Sequence, residues 1–173
     1  MIVIFKLIGN ILSILNSEEN PNQIAAGFAY GALLGLLPMG LMPALLGLLT
    51  FIININLGVV ALATALYKIL SYILDPVSGQ IGYAVLKTPA LFPFWTKLYN
   101  TPFVPYTKFN NTIVMGSLVL GLVLFVPNFF LGKKLVALYR TRLREKIVNL
   151  NIMKVFKATS VYKYYEMYRG IRK

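Results

Sequence analysis

Two ionisable residues interrupt an otherwise apolar stretch. Lys68 follows an uncharged run from Pro21 to Tyr67, and Asp75 stands seven residues further on. Seven residues are two helical turns, so both fall on one helix face, about 10 Å apart along its axis. Charge within an apolar helix suits an ion path, a relay or a bound phosphate. Lys68 is long enough to snorkel its ammonium towards headgroups at the Asp75 end. Facing inward, it would instead hold a lipid phosphate.

Little else could do covalent chemistry. The chain has no Cys and no His, which removes thiol nucleophiles, disulfides, the commonest general base and the commonest metal ligand. Its carboxylates are Glu18, Glu19, Asp75, Glu145 and Glu166. Glu18 and Glu19 sit on different helical faces and suit the positive end of the helix that follows. No paired acids, phosphate loop or nucleophile elbow is present. The expectation is a protein that is not an enzyme, with no catalytic residues, no cofactor and no metal site.

The elements that position Lys68 are those of a membrane protein. The 173 residues are 58% hydrophobic and 13% charged, with a mean hydropathy of +0.71. Soluble domains carry about 25% charged residues. A second uncharged run extends from Phe109 to Gly132, and such runs suit a hydrocarbon core about 30 Å thick. The pattern predicts an all-α integral membrane protein built from a re-entrant helical hairpin and two transmembrane helices. An interfacial N-terminal helix and a basic cytoplasmic C-terminal helix complete it.

Residues 1–17 place Lys6, Gly9, Asn10, Ser13, Asn16 and Ser17 on one helical stripe. That piece is too short to span and lacks the features of a cleaved signal. Asn20, Pro21 and Gln23 then read as a cap, a first helical residue and a capping-box partner. This helix should reach about Leu37, and Pro38, Gly40 and Pro43 should break it. A second apolar piece runs from Ala44 to Ile53. Reversal at 38–43 would fold 23–37 and 44–53 into a hairpin with its arms packed on each other. Gly27, Gly31 and Gly35, four residues apart, form a smooth face for close helix packing, within the chain or against a neighbour. Ala32 extends that face, and Gly47 is a candidate on the opposite arm. Short helices broken by Gly and Pro mark binding sites in transporters, so Pro38, Gly40, Pro43 and Lys68 are the candidate turn or ligand residues.

Leu57 to Leu74 is the first predicted crossing, with Asp75-Pro76 as its stop. Residues 77–108 read as short interfacial helices and loops, with Trp95, Tyr83, Tyr99 and Tyr106 at the boundary. Asn110 to Leu131 is the second crossing, bent near Pro127. Residues 133–173 carry 12 Lys or Arg and 2 Glu, whereas residues 1–132 carry 5 and 3. This divides the chain into a membrane domain, 1–132, and a basic cytoplasmic helical tail, 133–173. Lys133, Lys134, Arg140, Arg142, Arg144 and Lys146 flank an apolar stripe that starts at Val136 and Tyr139, and suit anionic phospholipid. A basic segment beside a span acts at the lipid surface, so nucleic acid is not an expected partner.

The run Pro21, Ala26, Gly27, Phe28, Ala29, Gly31, Gly35, Pro38 and Gly40, with Asn56 in the loop beyond, resembles the bacterial membrane family called domain of unknown function 2062. The resemblance covers roughly residues 15–135. The Asn-Pro element usual in the family's third apolar piece is missing, and "TALYKILSY" with Lys68 stands there instead. The resemblance implies the bacterial inner membrane and a larger envelope protein as partner, but no reaction. Together these readings predict an inner-membrane subunit that docks a larger envelope protein and assists phospholipid transport or membrane assembly. The alternative is a small homo-oligomeric transporter or channel with its site at Pro38–Pro43.

Overall fold

A computed structural model describes residues 20–143. The expected N-terminal interfacial helix, with Glu18 and Glu19, lies outside these residues. So do the Arg142 side chain, Arg144, Lys146 and the rest of the basic tail. The chain divides into two compact units. Residues 20–134 belong to one; residues 135–143 are the described part of the other.

Every regular element among the described residues is a helix, with no strand among them. Helix α1 (Pro21–Leu36) starts where its sequence predicts: the Asn20 side chain accepts from the Asn22 N–H at 2.9 Å, and Pro21 fills the first turn. It stops one residue before Pro38, because proline drives its predecessor out of the helical region. Leu37 is accordingly extended, at φ −69° and ψ 134°. Helix α2 (Leu41–Leu49) follows after a break of only four residues. Pro43 lies in the first turn of α2 and not in the break, since a first-turn residue has no intrahelical N–H bond to lose. The second arm therefore starts and ends earlier than the predicted Ala44–Ile53.

Helix α3 (Leu57–Lys87) is capped by the Asn56 side chain, which accepts from the Val59 N–H at 2.8 Å. Its 31 residues run straight through Asp75-Pro76, contrary to the predicted stop. A proline inside a helix costs roughly 3 kcal/mol. Beyond it, however, Ser78 is 1% exposed and Gly82 is buried, so continuing the helix keeps a packed seam that a stop would lose. Residues 77–87 thus belong to α3. A 3₁₀ turn (Pro89–Leu91), helix α4 (Phe92–Tyr99) and a second 3₁₀ turn (Val104–Thr107) follow. Helix α5 (Thr112–Leu138) is capped by Asn111, passes Pro127 and leads into a π-helical turn over Tyr139–Leu143. Val136 and Tyr139, the first residues of the expected apolar stripe, are buried. Two helices, Leu57–Lys87 and Thr112–Thr141, are long and apolar enough to cross a membrane.

The glycines fix how α1, α3 and α5 meet. A methyl group on Gly31 would stand 2.5 Å from the Val60 carbonyl oxygen and 2.7 Å from Ala63 Cβ. One on Gly35 would stand 2.6 Å from the Thr64 carbonyl oxygen, and one on Gly27 would stand 2.9 Å from that of Asn56. Contacts that advance together along both helices make α1 and α3 parallel. The glycine face thus receives α3 and not the second hairpin arm. That arm is a short helix, and a methyl on its Gly47 would meet nothing within 4 Å. Parallel neighbours need a return path, and α2 with residues 50–56 provides it. The Tyr30 hydroxyl ties the path to α1, donating to the Leu46 carbonyl at 2.7 Å. Helix α5 runs antiparallel to both: Gly121 meets Leu33, Gly132 meets Ala25, and Gly116 meets Ser78 and Gly82.

Candidate functional site

The break after α1 brings one sequence-predicted pair together. Because Gly35 has no side chain, the α3 backbone comes close enough that a methyl there would lie 3.1 Å from the Lys68 backbone nitrogen. From that position the half-buried Lys68 ammonium reaches across and donates to the Leu37 carbonyl at 2.5 Å. Leu37 is the C-cap residue of α1, where carbonyls lack partners and the helix dipole is negative. The cation therefore caps α1 at its proline stop. Its ammonium goes to Leu37 rather than to Asp75, which lies two turns along α3 and is half-exposed.

Polar groups line the same seam. Thr64 Oγ1 donates to the Gly31 carbonyl at 3.2 Å and Ser71 Oγ to the Lys68 carbonyl at 2.9 Å. The Tyr67 hydroxyl donates to Asn128 Oδ1 at 2.6 Å, and the Tyr67 ring meets Phe28 edge-on with centroids 5.9 Å apart. Asn128 is 6% exposed, and its Nδ2 has no partner; the fully buried Ser117 hydroxyl is in the same condition.

The other candidate turn residues separate. Pro38 is half-buried at the break, while Gly40 is exposed and extended, and a methyl there would meet nothing within 4 Å. Pro43 belongs to α2. Among the lipid candidates, Lys133 and Lys134 are exposed, and Gly132 beside them packs on Ala25. Those lysines therefore share an end of the fold with the start of α1. Lys133 also lies 5.7 Å from the Phe129 ring centroid. Arg140 is half-exposed in the second unit.

Two features escaped the sequence reading. Ser78, Gly82 and Gly116 bring α3 and α5 to backbone contact; the four-residue spacing of Ser78 and Gly82 was the available signal. The aromatics also border an open groove of about 300 Å³, lined by Phe92, Trp95, Tyr99 and Phe109 with Asn100 and Asn110.

A family described as "Uncharacterized protein conserved in bacteria (DUF2062)" matches residues 7–145. An "Uncharacterized protein" of Treponema pallidum (strain Nichols) is 32% identical over 139 residues, covering 80% of this chain and 86% of that protein. No solved structure matches. With the expected glycine and proline pattern inside the matched region, the chain belongs to the bacterial DUF2062 family.

Proposed function

We propose that this chain is a multi-pass protein of the bacterial inner membrane that docks a larger envelope protein and assists phospholipid transport or membrane assembly. The observation that carries this reading is the apolar shell of α2. No side chain of α2 is buried, and beyond it Phe51 is 75% and Ile52 81% exposed. At nine residues, about 14 Å, α2 is too short to cross a bilayer. An unburied apolar arm of that length suits lipid contact or a membrane-embedded partner.

The lengths support the membrane placement. Asn111 and Lys133 bound about 22 residues of α5, roughly 33 Å, close to a 30 Å hydrocarbon core. The 16-residue α1 is about 24 Å long, starts beside Gly132 and Lys133, and so ends within the layer. We therefore read α1 and α2 as a re-entrant pair and α3 and α5 as the two crossings. Lys133, Lys134 and the basic tail then face the cytoplasm, where they meet anionic headgroups.

A second reading, a small homo-oligomeric transporter, draws on Lys68 at the helix break. It is weaker, because the Lys68 ammonium is already engaged by the Leu37 carbonyl, and Leu36 and Leu37 at the break are fully buried. Extraction into native nanodiscs, with mass spectrometry of co-purifying proteins and lipids, separates the two. A stoichiometric large envelope protein with phospholipid is expected. A homo-oligomer without partner or lipid would overturn the docking reading.

A further inference from the structure

The groove at the far end of α3 has a built wall. Phe92, Trp95 and Tyr99 share one face of α4 at intervals of three and four. The Trp95 ring is held by its N–H, which donates to the Val85 carbonyl at 3.3 Å. The Phe109 ring closes the wall, 6.2 Å from Trp95 and 6.4 Å from Tyr99 between centroids. Phe109 is 3% exposed and follows Lys108, whose φ is 55°; Phe103, before the same 3₁₀ turn, has φ 68°. These are the two non-glycine residues with left-handed backbone among those described, a conformation kept only where the surroundings impose it. Boundary aromatics are common in membrane proteins. An open groove walled by these rings, with such a residue immediately before Phe109, is more than a belt.

We propose that this cup holds the hydrocarbon chain of an anionic amphiphile. Two observations select that chemistry. First, the interior donors are already used: the indole N–H goes to Val85, and Thr96 Oγ1 donates to the Phe92 carbonyl at 2.9 Å. A polyhydroxylated ligand would leave its own hydroxyls unpaired against the rings, whereas a hydrocarbon loses nothing and gains apolar burial. Second, residues 77–111 carry Lys87, Lys97 and Lys108 and no acid. Ring faces alone would welcome a quaternary ammonium, but that charge setting opposes one and favours a carboxylate or phosphate. The exposed amides of Asn100 and Asn110, which line the groove, can donate to such a head. The source is either a free fatty acid or an anionic phospholipid.

Trp95 is the only tryptophan in the chain, so its fluorescence reports the cup directly. Full-length protein in detergent is titrated with dibrominated stearate, brominated-chain phosphatidylglycerol and brominated-chain phosphatidylcholine. Saturable quenching by an anionic probe is expected, reversed by its unbrominated form and about tenfold weaker with phosphatidylcholine. The tighter anionic probe identifies the source. Tyr99→Ala should weaken the quenching, while Tyr106→Ala, exposed and outside the cup, should not. Quenching that rises linearly and equally with all three probes would overturn the assignment, as would saturation unchanged in Tyr99→Ala. If that variant does not fold, the wild-type headgroup preference and competition decide alone. The cup rests on the lipid-handling reading for the origin of its ligand, yet the two fail separately: nanodiscs without partner or lipid sink that reading and leave saturable quenching in detergent intact.

Discussion

The Lys68 ammonium donates to the Leu37 carbonyl at 2.5 Å, joining residues 31 apart in the chain. Helix α1 thus ends on a cation that its own sequence does not supply; no basic residue lies in its last turn. Lys68→Met should lower stability by about 1 kcal/mol, the scale of a partly exposed cation at a helix C-terminus, and Lys68→Arg should retain part of it. Thermal unfolding in detergent measures both. A Met variant as stable as the parent would show that the ammonium does not act as a cap and would return Lys68 to the ligand reading.

The glycines divide into two groups by what surrounds them. Gly31→Ala forces a methyl against Val60 and Ala63 and should cost about 1–3 kcal/mol, as overpacking does. Gly47→Ala meets nothing within 4 Å and should be neutral or stabilising by about 0.5–1 kcal/mol, because alanine is the better helix former. Size-exclusion profiles after graded heating report the order. Equal tolerance at both positions would contradict the α1–α3 contact.

Orientation is testable because the chain lacks cysteine. Thr101→Cys, in the exposed loop after α4, should react with an impermeant maleimide added to intact spheroplasts. Asn54→Cys and Lys134→Cys should react only after permeabilisation. The reverse pattern would invert the topology and place the aromatic cup in the cytoplasm.

The apolar arm should matter to assembly more than to folding. Leu48 is 61% exposed on α2, so Leu48→Gln should leave the unfolding temperature within a few degrees of the parent. The same change should reduce recovery of the envelope partner from nanodiscs. Undiminished recovery would remove α2 from the interface.

Local chemistry was the legible part of the fold. Asn20 and Pro21 announce a helix start, Pro38 announces its end, and the Gly27–Gly31–Gly35 row announces a close approach. Each of these depends on a few neighbouring residues. What a smooth glycine face touches depends on the return path of the chain, so its partner, α3, was not readable from α1. Pro76 misled for a related reason. Its local cost is fixed, but the Ser78–Gly82 seam that outweighs it forms only when α5 arrives. For the site, Lys68 was recognised as unusual and Leu37 was not, because a backbone carbonyl leaves no mark in a sequence. The cup was not legible, since the α4 rings are completed by Phe109 from beyond the second 3₁₀ turn and by Leu86 of α3.

The parallel arrangement of α1 and α3 also sets an order of events at the ribosome. The surface that completes α1 begins at Asn56 and ends at Lys68. When Leu37 leaves the peptidyl-transferase centre, 31 residues remain before Lys68 is added. At roughly 5–20 residues per second that is a wait of about 2–6 s. Until α3 has followed it out, α1 lacks the helix that covers its three glycines. A ribosome pause that falls after α1 has emerged and before Lys68 has left the exit tunnel would lengthen this interval.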